Sequence, residues 1–456
     1  MTMTDVDGLT HARLPGLSDP LRGRPARSRR SRGRLTALLE RPATLPRPLT
    51  ITLVLMLALS PLEGYVQMVS GSAGKVAPAL FLLTWGVDRL WIKHRIGVGH
   101  PVVSSVAALL AVVLVSTALH SSSPYALFGA SRWIPFLVLS VALVDVLATD
   151  VHPRVALSAL LFGALAAASG SLYSFVVLKD PRASGPLSDP NDLAYILVAA
   201  IPVVLTRLGV ARGWVAALSG AGALSLLLAG TAATVSRGGA IAIGVTLAWV
   251  VLRQVVATRL MVAGLALVAV LGGGVALIAT SQVQNALSQK TYIASTNVDT
   301  RLLRWQSALR LMAANPVFGA GPTGAAVNYV QYSNDAELAE RTPVTHDMYF
   351  EVGAELGVPG EAAFLTTIGL ALASSEVSIR RRRRLRVRRD DPLLLVALAV
   401  QGSLLAVLTA SMFLSEEYYM PLWAAIAVAA AVELRSRPAR AGQAGLAGPT
   451  SYGARA

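Results

Sequence analysis

The chain has 456 residues, of which 54% are hydrophobic and only 14% are charged. In a soluble protein, close to a quarter of all residues would be charged. The mean hydropathy of +0.58 and repeated apolar runs of about 20 residues exclude an ordinary soluble protein. They predict an all-α polytopic integral membrane protein. Cysteine is absent, which excludes a disulfide framework, a thiolate metal site and a cysteine nucleophile.

The first segment, residues 1–48, is rich in arginine and poor in large apolar residues. We predict that it is a disordered basic cytoplasmic tail. About twelve transmembrane helices follow, nine within residues 49–280 and three within residues 347–434. A cytoplasmic C-terminal tail is predicted at residues 435–456. The predicted spans are 49–66, 76–92, 102–119, 126–148, 155–177, 192–210, 213–231, 238–254, 260–280, 347–374, 392–413 and 417–434.

The formal net charge of +15 is concentrated in alternate connections between these spans. The largest cluster is the arginine run from Arg380 to Arg384, with further arginines up to Arg389. Basic residues collect on the cytoplasmic side of membrane proteins, so this asymmetry predicts a cytoplasmic N-terminus. The same residues would contact anionic membrane lipid. Nucleic acid, the other common partner of a basic protein, is not expected as a partner.

One connection on the opposite side is long, and we predict an external loop at residues 281–346. Within it, the segment Arg301–Ala313 has the periodicity of an amphipathic helix, which Asn315-Pro316 would end. Such a helix would lie on the outer membrane surface or pack on the spans. Its predicted apolar stripe consists of Leu302, Trp305, Leu309 and Met312.

Few arginines fall on the predicted outer side. Each of them is a candidate for binding phosphate or pyrophosphate, because a guanidinium group can contact a phosphate through two parallel hydrogen bonds. Arg237 lies in Ser236-Arg237-Gly238-Gly239 at the outer end of a span, and a functional role is favoured there. Arg301 and Arg304 flank the stripe of the loop helix. For Arg132 and Arg182, a structural role is favoured over a functional one: the side chain would reach the membrane interface or cap a helix.

His346 stands where the external loop enters the membrane again. With an unperturbed pKa near 6.5, it could act as a general base. The alternative is an ordinary polar residue at a helix start. The carboxylate of Asp347 would raise the pKa of His346 if the two side chains approach each other.

Glu351 and Glu355 are four residues apart and share a helix face. Glu355 is about half a revolution out of phase with His346, so it is expected to brace the packing rather than contact the same substrate atom. Gly353 and Gly357 would allow close approach of another helix. Pro359 and Gly360 would kink this span.

Asp189 and Asn191 open another span from the outside. A helix-capping role is favoured for this pair, because short polar side chains accept hydrogen bonds from the free N–H groups of a helix start. Contact with sugar hydroxyls is the alternative for Asn191.

Four motifs, in this order, resemble the O-antigen ligase and polymerase superfamily of bacterial membrane glycosyltransferases. The last motif in that family usually reads His-Asn, whereas this chain has His346-Asp347, which adds a negative charge beside the expected base. The motifs are Asp189-Pro190-Asn191-Asp192-Leu193-Ala194, Ser236-Arg237-Gly238-Gly239, Arg301–Trp305 followed by Asn315–Gly321, and His346–Gly360.

The resemblance implies the multi-span fold of glycosyltransferases that use lipid-linked sugars. It implies an enzyme of the bacterial plasma membrane, with its active site facing outside, that moves a glycan from undecaprenyl pyrophosphate to an acceptor hydroxyl of a glycan or lipid-glycan. No metal and no cofactor are expected. Arg237 with Arg301 or Arg304 would bind the pyrophosphate, and His346 would act on the acceptor, with Asp347, Glu355, Asn191 and Arg132 in supporting positions.

Ligase and polymerase both fit this reading. The alternative from another functional class is a multi-span secondary transporter or flippase, since about twelve spans also suit a carrier. A transporter would be expected to contain repeated halves with broken helices at matching positions. No convincing internal repeat is visible in the sequence.

Overall fold

The computed structural model describes residues 47–93, 99–257, 300–334 and 344–438, and all regular secondary structure within them is helical. The predicted span at 260–280 and nearly all of both predicted tails lie outside the described residues. The helices are α1 (Pro48–Leu59), α2 (Glu63–Val69), α3 (Ala73–Val87), α4 (Pro101–Leu119), α5 (Pro124–Thr149), α6 (Pro153–Val176), α7 (Pro190–Leu208), α8 (Trp214–Ala233), α9 (Arg237–Arg253), α10 (300–314), α11 (Gly324–Val327), α12 (Tyr329–Tyr332), α13 (Met348–Arg384), α14 (Pro392–Ala410) and α15 (Met420–Arg435).

Proline marks the first residue of six of these helices. Proline suits this position because its fixed φ is helical and the N–H that it lacks would have no partner there. Side chains of the preceding residues cap several of the same helices. His100 accepts a hydrogen bond from the N–H of Val102, and His152 accepts one from the N–H of Arg154. Local sequence therefore sets where these helices begin.

Within the described residues, eight helical segments are long and apolar enough to cross a membrane. The other predicted spans that fall on described residues are also helical, but α3, α9 and α15 have 15, 17 and 16 residues. A straight crossing of the hydrocarbon core needs about 20 residues. The structure thus supports a multi-span protein, while the predicted count of twelve is not established.

Polar contacts between the helices collect at two ends. One end, called the basic end, contains Arg89, which bonds Asp150 at 2.7 Å, and Arg212, which bonds Asp390 at 2.9 Å. The other end, called the loop end, contains the segment after α10. There the hydroxyl of Ser116 donates to the carbonyl of Phe318 at 2.7 Å.

Helix α15 lies at the centre of the packing, with α5, α13 and α14 around it. Every residue from Met420 to Glu433 is buried. Its run of alanines explains this position, since small side chains let neighbouring helices approach closely in a membrane. The span predicted at 417–434 is therefore helical but surrounded by protein rather than lipid.

Helix α13 is broken at Gly357, which has φ 69° and ψ −171°, two residues before the Pro359 that the sequence marked as the breaker. Pro359 has no N–H to bond the carbonyl of Glu355, so the break frees backbone groups inside the membrane. The segment after α10 satisfies them. Ala320 and Gly321 donate to the carbonyls of Ala354 and Glu355, each at 3.0 Å, and the N–H of Val358 donates to the carbonyl of Pro316 at 2.8 Å.

The contact at this break requires glycine on both sides. Gly319 has φ 63°, and a Cβ there would lie 2.2 Å from the backbone of Glu355. A Cβ on Gly357 would lie 2.8 Å from the N atom of Gly319. Gly353 likewise faces Met312 of α10. The close approach predicted for Gly353 and Gly357 is thus made by the end of α10 and the segment after it.

We expect Gly319→Ala and Gly357→Ala each to lower the free energy of unfolding by about 3 kcal/mol, because each adds strain at positive φ and a steric overlap. Unfolding of the purified protein in detergent measures this. Gly369→Ala is the control, since Gly369 lies in α13 with nothing within 4 Å of an added Cβ. The double variant should cost less than the sum of the single variants, because the two sites contact each other. Full additivity would contradict this contact.

Candidate functional site

Arg237 is the first residue of α9 and lies at the loop end. Ser236 caps this helix by accepting a hydrogen bond from the N–H of Gly239 at 3.3 Å. The two glycines let the helix start approach its neighbours, because added Cβ atoms on Gly238 and Gly239 would lie 3.2 and 3.0 Å from Phe413 and Ala194. Arg237 is exposed and forms no ion pair or hydrogen bond within the described part of the chain. A helix N-terminus favours anions. A negative ligand here would be stabilised both by the start of α9 and by the guanidinium group of Arg237.

Arg182 is held in place at the same end. Its Nη2 donates to Oδ1 of Asn191 at 3.0 Å, and its Nε donates to the carbonyl of Thr234 at 3.1 Å. Asn191 in turn donates from Nδ2 to Asp189 at 2.9 Å, while Asp189 caps α7. The predicted capping role of this segment agrees with the structure, and Asn191 has the added role of orienting Arg182.

Helix α10 lies next to the start of α13, as Trp305 packs on Phe350 with ring centroids 5.8 Å apart. Ser307, Ala308 and Leu311 are buried, whereas Leu302 and Leu309 of the predicted stripe are exposed. Trp305 and Met312, the other two residues of that stripe, do face α13. The predicted stripe therefore covers only part of the contact face, which Ala308 and Leu311 complete beside Ala354 of α13.

This orientation brings Arg301 and Arg304 of α10 together with Arg182 and Arg237 in one positive cluster, called the arginine cluster. Arg310, the third arginine of α10, instead donates to the carbonyl of Tyr332 at 3.1 Å. Burial lowers the pKa of Arg301; the charge of Asp189 opposes this, and Arg304, Arg182 and Arg237 lower the pKa further. Arg304 also donates to the carbonyl of Val344 at 3.5 Å. Among the described residues, three arginines and one carboxylate, that of Asp189, act on the charge of Arg301, a balance that favours binding of an anion.

His346 adopts φ 53°, a left-handed conformation that is uncommon for residues other than glycine. Both neighbours hold it there. The hydroxyl of Thr345 donates to Oε2 of Glu351 at 2.6 Å, and Asp347 caps α13. Strained backbone of this kind often occurs at functional sites. Burial lowers the pKa of His346 to about 4, the charges of Arg301 and Arg304 act in the same direction, and Asp189 opposes them.

Asp347 does not have the effect on His346 that its position suggested. Its Oδ1 accepts hydrogen bonds from the N–H groups of Tyr349 and Phe350, at 3.0 and 3.1 Å. Burial raises the pKa of Asp347 itself to about 6, partly opposed by these two bonds. A raised pKa of His346 was expected only if the two side chains approached each other. The carboxylate instead points to the helix start, and the pKa of His346 is lowered.

Glu355 is 1% exposed and accepts a hydrogen bond from the hydroxyl of Tyr418 at 3.3 Å. The guanidinium carbon of Arg132 lies 4.2 Å from the centroid of the Tyr418 ring, a cation–π contact. Tyr418 thus joins Glu355 and Arg132 in one group of contacts. That Glu355 braces the packing stays a prediction.

Sequence reasoning missed the connection between α14 and α15, Ser415-Glu416-Glu417-Tyr418-Tyr419. Glu416 and Glu417 are 2% and 1% exposed, and neither carboxylate oxygen of Glu417 bonds another described residue. Tyr419 donates to Asp192 at 2.9 Å, and Ser415 donates to Glu351. Paired acids between two apolar spans were a signal in the sequence, since ionisable residues near the membrane interior are usually functional.

Comparison with known families supplies independent information. Residues 222–365 match the family described as O-Antigen ligase, and the match supports an O-antigen ligase-related family for the chain. The matched segment contains Arg237, Arg301, Arg304, His346 and Glu355. No curated protein matches the chain. Among the described residues, no group of three or more histidine, aspartate or glutamate side chains could hold a metal ion.

We expect ¹⁵N-histidine NMR to give His346 a pKa near 4 in the free protein, assigned by the signal lost in His346→Gln. Arg301→Gln should raise this pKa towards 6.5, because it removes a repulsive charge. Arg154→Gln, at the basic end, should leave it unchanged. Asp347→Asn keeps a capping side chain and should also leave it unchanged. A fall of the His346 pKa in Asp347→Asn would instead show that the carboxylate tunes the imidazole.

Proposed function

We propose that this O-antigen ligase-related membrane protein is a glycosyltransferase that moves a glycan from undecaprenyl pyrophosphate to an acceptor hydroxyl. The observation that carries the proposal is the convergence of the arginine cluster with His346 at the loop end. These residues come from four separate parts of the sequence. A pyrophosphate needs several cationic donors, and a hydroxyl nucleophile benefits from a nearby base.

The leaving group sets the first requirement of the reaction. When the acceptor oxygen attacks the anomeric carbon, the bond from that carbon to the phosphate oxygen breaks, and its electron pair leaves with the lipid pyrophosphate. Negative charge therefore grows on the pyrophosphate in the transition state. Arg237, Arg301 and Arg304 are placed to stabilise this charge, which is the role of preorganised donors in such sites. In this proposal the guanidinium groups supply the positive charge that a metal ion supplies in other transferases.

The acceptor proton sets the second requirement. His346 is neutral at pH 7 because its pKa is lowered to about 4, so its free nitrogen can accept the proton of the acceptor hydroxyl. A base with so low a pKa holds a proton weakly. Bound pyrophosphate would offset the charges of Arg301 and Arg304 and so raise the pKa of His346. The donor would thereby strengthen the base for its own reaction.

The charge asymmetry orients the proposed reaction. Basic connections favour the cytoplasmic side, which places the basic end inside and the loop end at the outer face of the bacterial plasma membrane. The donor would enter from the outer leaflet, and the glycan or lipid-glycan acceptor from the outer aqueous side. The identity of the acceptor would decide between a ligase and a polymerase of cell-surface polysaccharide.

Reconstitution of the purified protein in liposomes with lipid-linked oligosaccharide tests the proposal directly. We expect release of undecaprenyl pyrophosphate together with transfer of the glycan. Arg237→Lys should lower the rate by about 10- to 100-fold despite keeping the charge, because a lysine cannot form the forked pair of hydrogen bonds.

Arg154→Lys is the matched control for Arg237→Lys. Both arginines are exposed and stand in the first turn of a helix, but Arg154 lies at the basic end. The control should keep full activity. Equal rates in wild type, Arg237→Lys and Arg237→Ala, at equal amounts of folded protein, would remove Arg237 from the site. Movement of a solute without bond cleavage would favour a transporter.

His346→Gln should lower kcat by about 10²- to 10⁴-fold, since glutamine keeps hydrogen bonding but cannot accept a full proton. In the wild type, the acid limb of kcat should lie at a higher pH than that of kcat/KM. The reason is that kcat reports the donor-bound enzyme and kcat/KM the free enzyme. Near-normal turnover in His346→Gln would leave His346 as an orienting contact only, and identical limbs would contradict the effect of the donor on the base.

A further inference from the structure

A cavity of about 450 Å³ opens at the basic end, far along α7 and α13 from the arginine cluster. Residues 209–212, which follow α7, line one side of it, and residues 388–390, which follow α13, line the other. Its volume lies in the range of small-ligand sites. None of these residues takes part in the proposed glycosyl transfer.

The cavity is strongly positive, with three arginines and a single acid in its lining. Asp390 bonds Arg212 at 2.9 Å and Arg388 at 3.1 Å, so one carboxylate orients two guanidinium groups that remain partly free. Arg389 is exposed and has no ion pair within the part of the chain that the structure describes. Several guanidinium groups around a small cavity suit a phosphate, which accepts forked pairs of hydrogen bonds.

The turn that forms one wall of the cavity is fixed by glycine. A Cβ on Gly209 would lie 2.1 Å from the carbonyl oxygen of Val255, so only glycine lets the end of α7 pass this close to the chain after α9. Gly213 then adopts φ 83° and turns the chain from the cavity into α8. The arginine at position 212 is thus held between a rigid turn and the start of a membrane-spanning helix.

The helix next to the cavity is open to lipid. Among the eight membrane-crossing segments of the described chain, α8 is the least buried. Trp214, Val215 and Leu218, in its first two turns, are 74%, 61% and 62% exposed. These exposed apolar side chains begin two residues after Arg212 of the cavity lining. Tryptophan at such a position is typical of the membrane interface.

We propose that this cavity binds the phosphate headgroup of an anionic phospholipid, with the acyl chains of that lipid lying along the exposed start of α8. The three arginines recognise the headgroup charge, and Trp214 contacts the region between headgroup and chains. A soluble phosphate would use the arginines alone and gain nothing from the apolar face. The continuity of the positive cavity with a lipid-exposed helix therefore points to a lipid.

The experiment measures binding of phosphatidylglycerol with a labelled acyl chain to the full-length protein in nanodiscs of neutral phosphatidylcholine. Arg389→Gln is the main variant, because it removes a guanidinium group while leaving both bonds of Asp390 in place. Arg212→Gln is the second variant. Arg154→Gln is the matched control, an exposed arginine at the same end outside the cavity. Each cavity variant should weaken binding about fivefold, the effect of one basic residue near an anionic surface.

Binding weakened in Arg389→Gln and Arg212→Gln but not in Arg154→Gln supports the site. Equal weakening in all three variants overturns it, because the attraction would then be a general effect of net charge. Competition by millimolar inorganic phosphate or glycerol phosphate as strong as that by unlabelled phosphatidylglycerol overturns the lipid and leaves a soluble-phosphate site. The glycosyl-transfer assay of the same variants should be unaffected in neutral lipid, so this proposal and the proposed function fail independently.

Discussion

The break at Gly357 is the constraint on which the rest of the structure depends. A helix that crosses a membrane cannot leave its backbone groups without partners, since each would cost several kcal/mol in hydrocarbon. Here the segment after α10 supplies the missing partners through three backbone hydrogen bonds. The break therefore fixes the position of that segment, and through it the position of α10 with Arg301 and Arg304. The hydrogen bonds that the broken span requires therefore also position the candidate site.

An amide side chain, a helix cap and the packing between two helices hold the arginine cluster in place. Asn191 orients Arg182, the cap at Ser236 places Arg237, and the packing of α10 on α13 places Arg301 and Arg304. Like charges brought together in this way repel one another, so the scaffold bears an electrostatic cost until an anion arrives. That cost gives an anionic ligand a larger stabilising effect at this end than a single exposed arginine would have.

The arginines at the two ends of the helices differ in their pairing with acids. At the basic end, arginines are largely paired with acids, as in the contacts of Arg89 with Asp150 and of Arg382 with Asp391. At the loop end, Arg237 stands without such a partner in the described chain. A paired arginine mainly stabilises the fold, whereas an unpaired one is available to a ligand. The cavity beside α8 departs from this pairing, because a single acid, Asp390, contacts two of its three arginines.

The sequence by itself determined the helical membrane architecture and most helix starts, and it pointed to Arg237, Arg301, Arg304 and His346 as candidate site residues. These depend on composition, on prolines at helix starts and on short motifs, all of which act locally. Only the tertiary structure decided that the break lies at Gly357, that α10 turns Ala308 inward, and that Asp347 caps a helix. It also brought Glu417 beside Glu351 and Glu355 of α13, and Glu416 beside Asp192 of α7. These outcomes arise from contacts between segments distant in the chain, and such contacts leave no periodic signal within either segment.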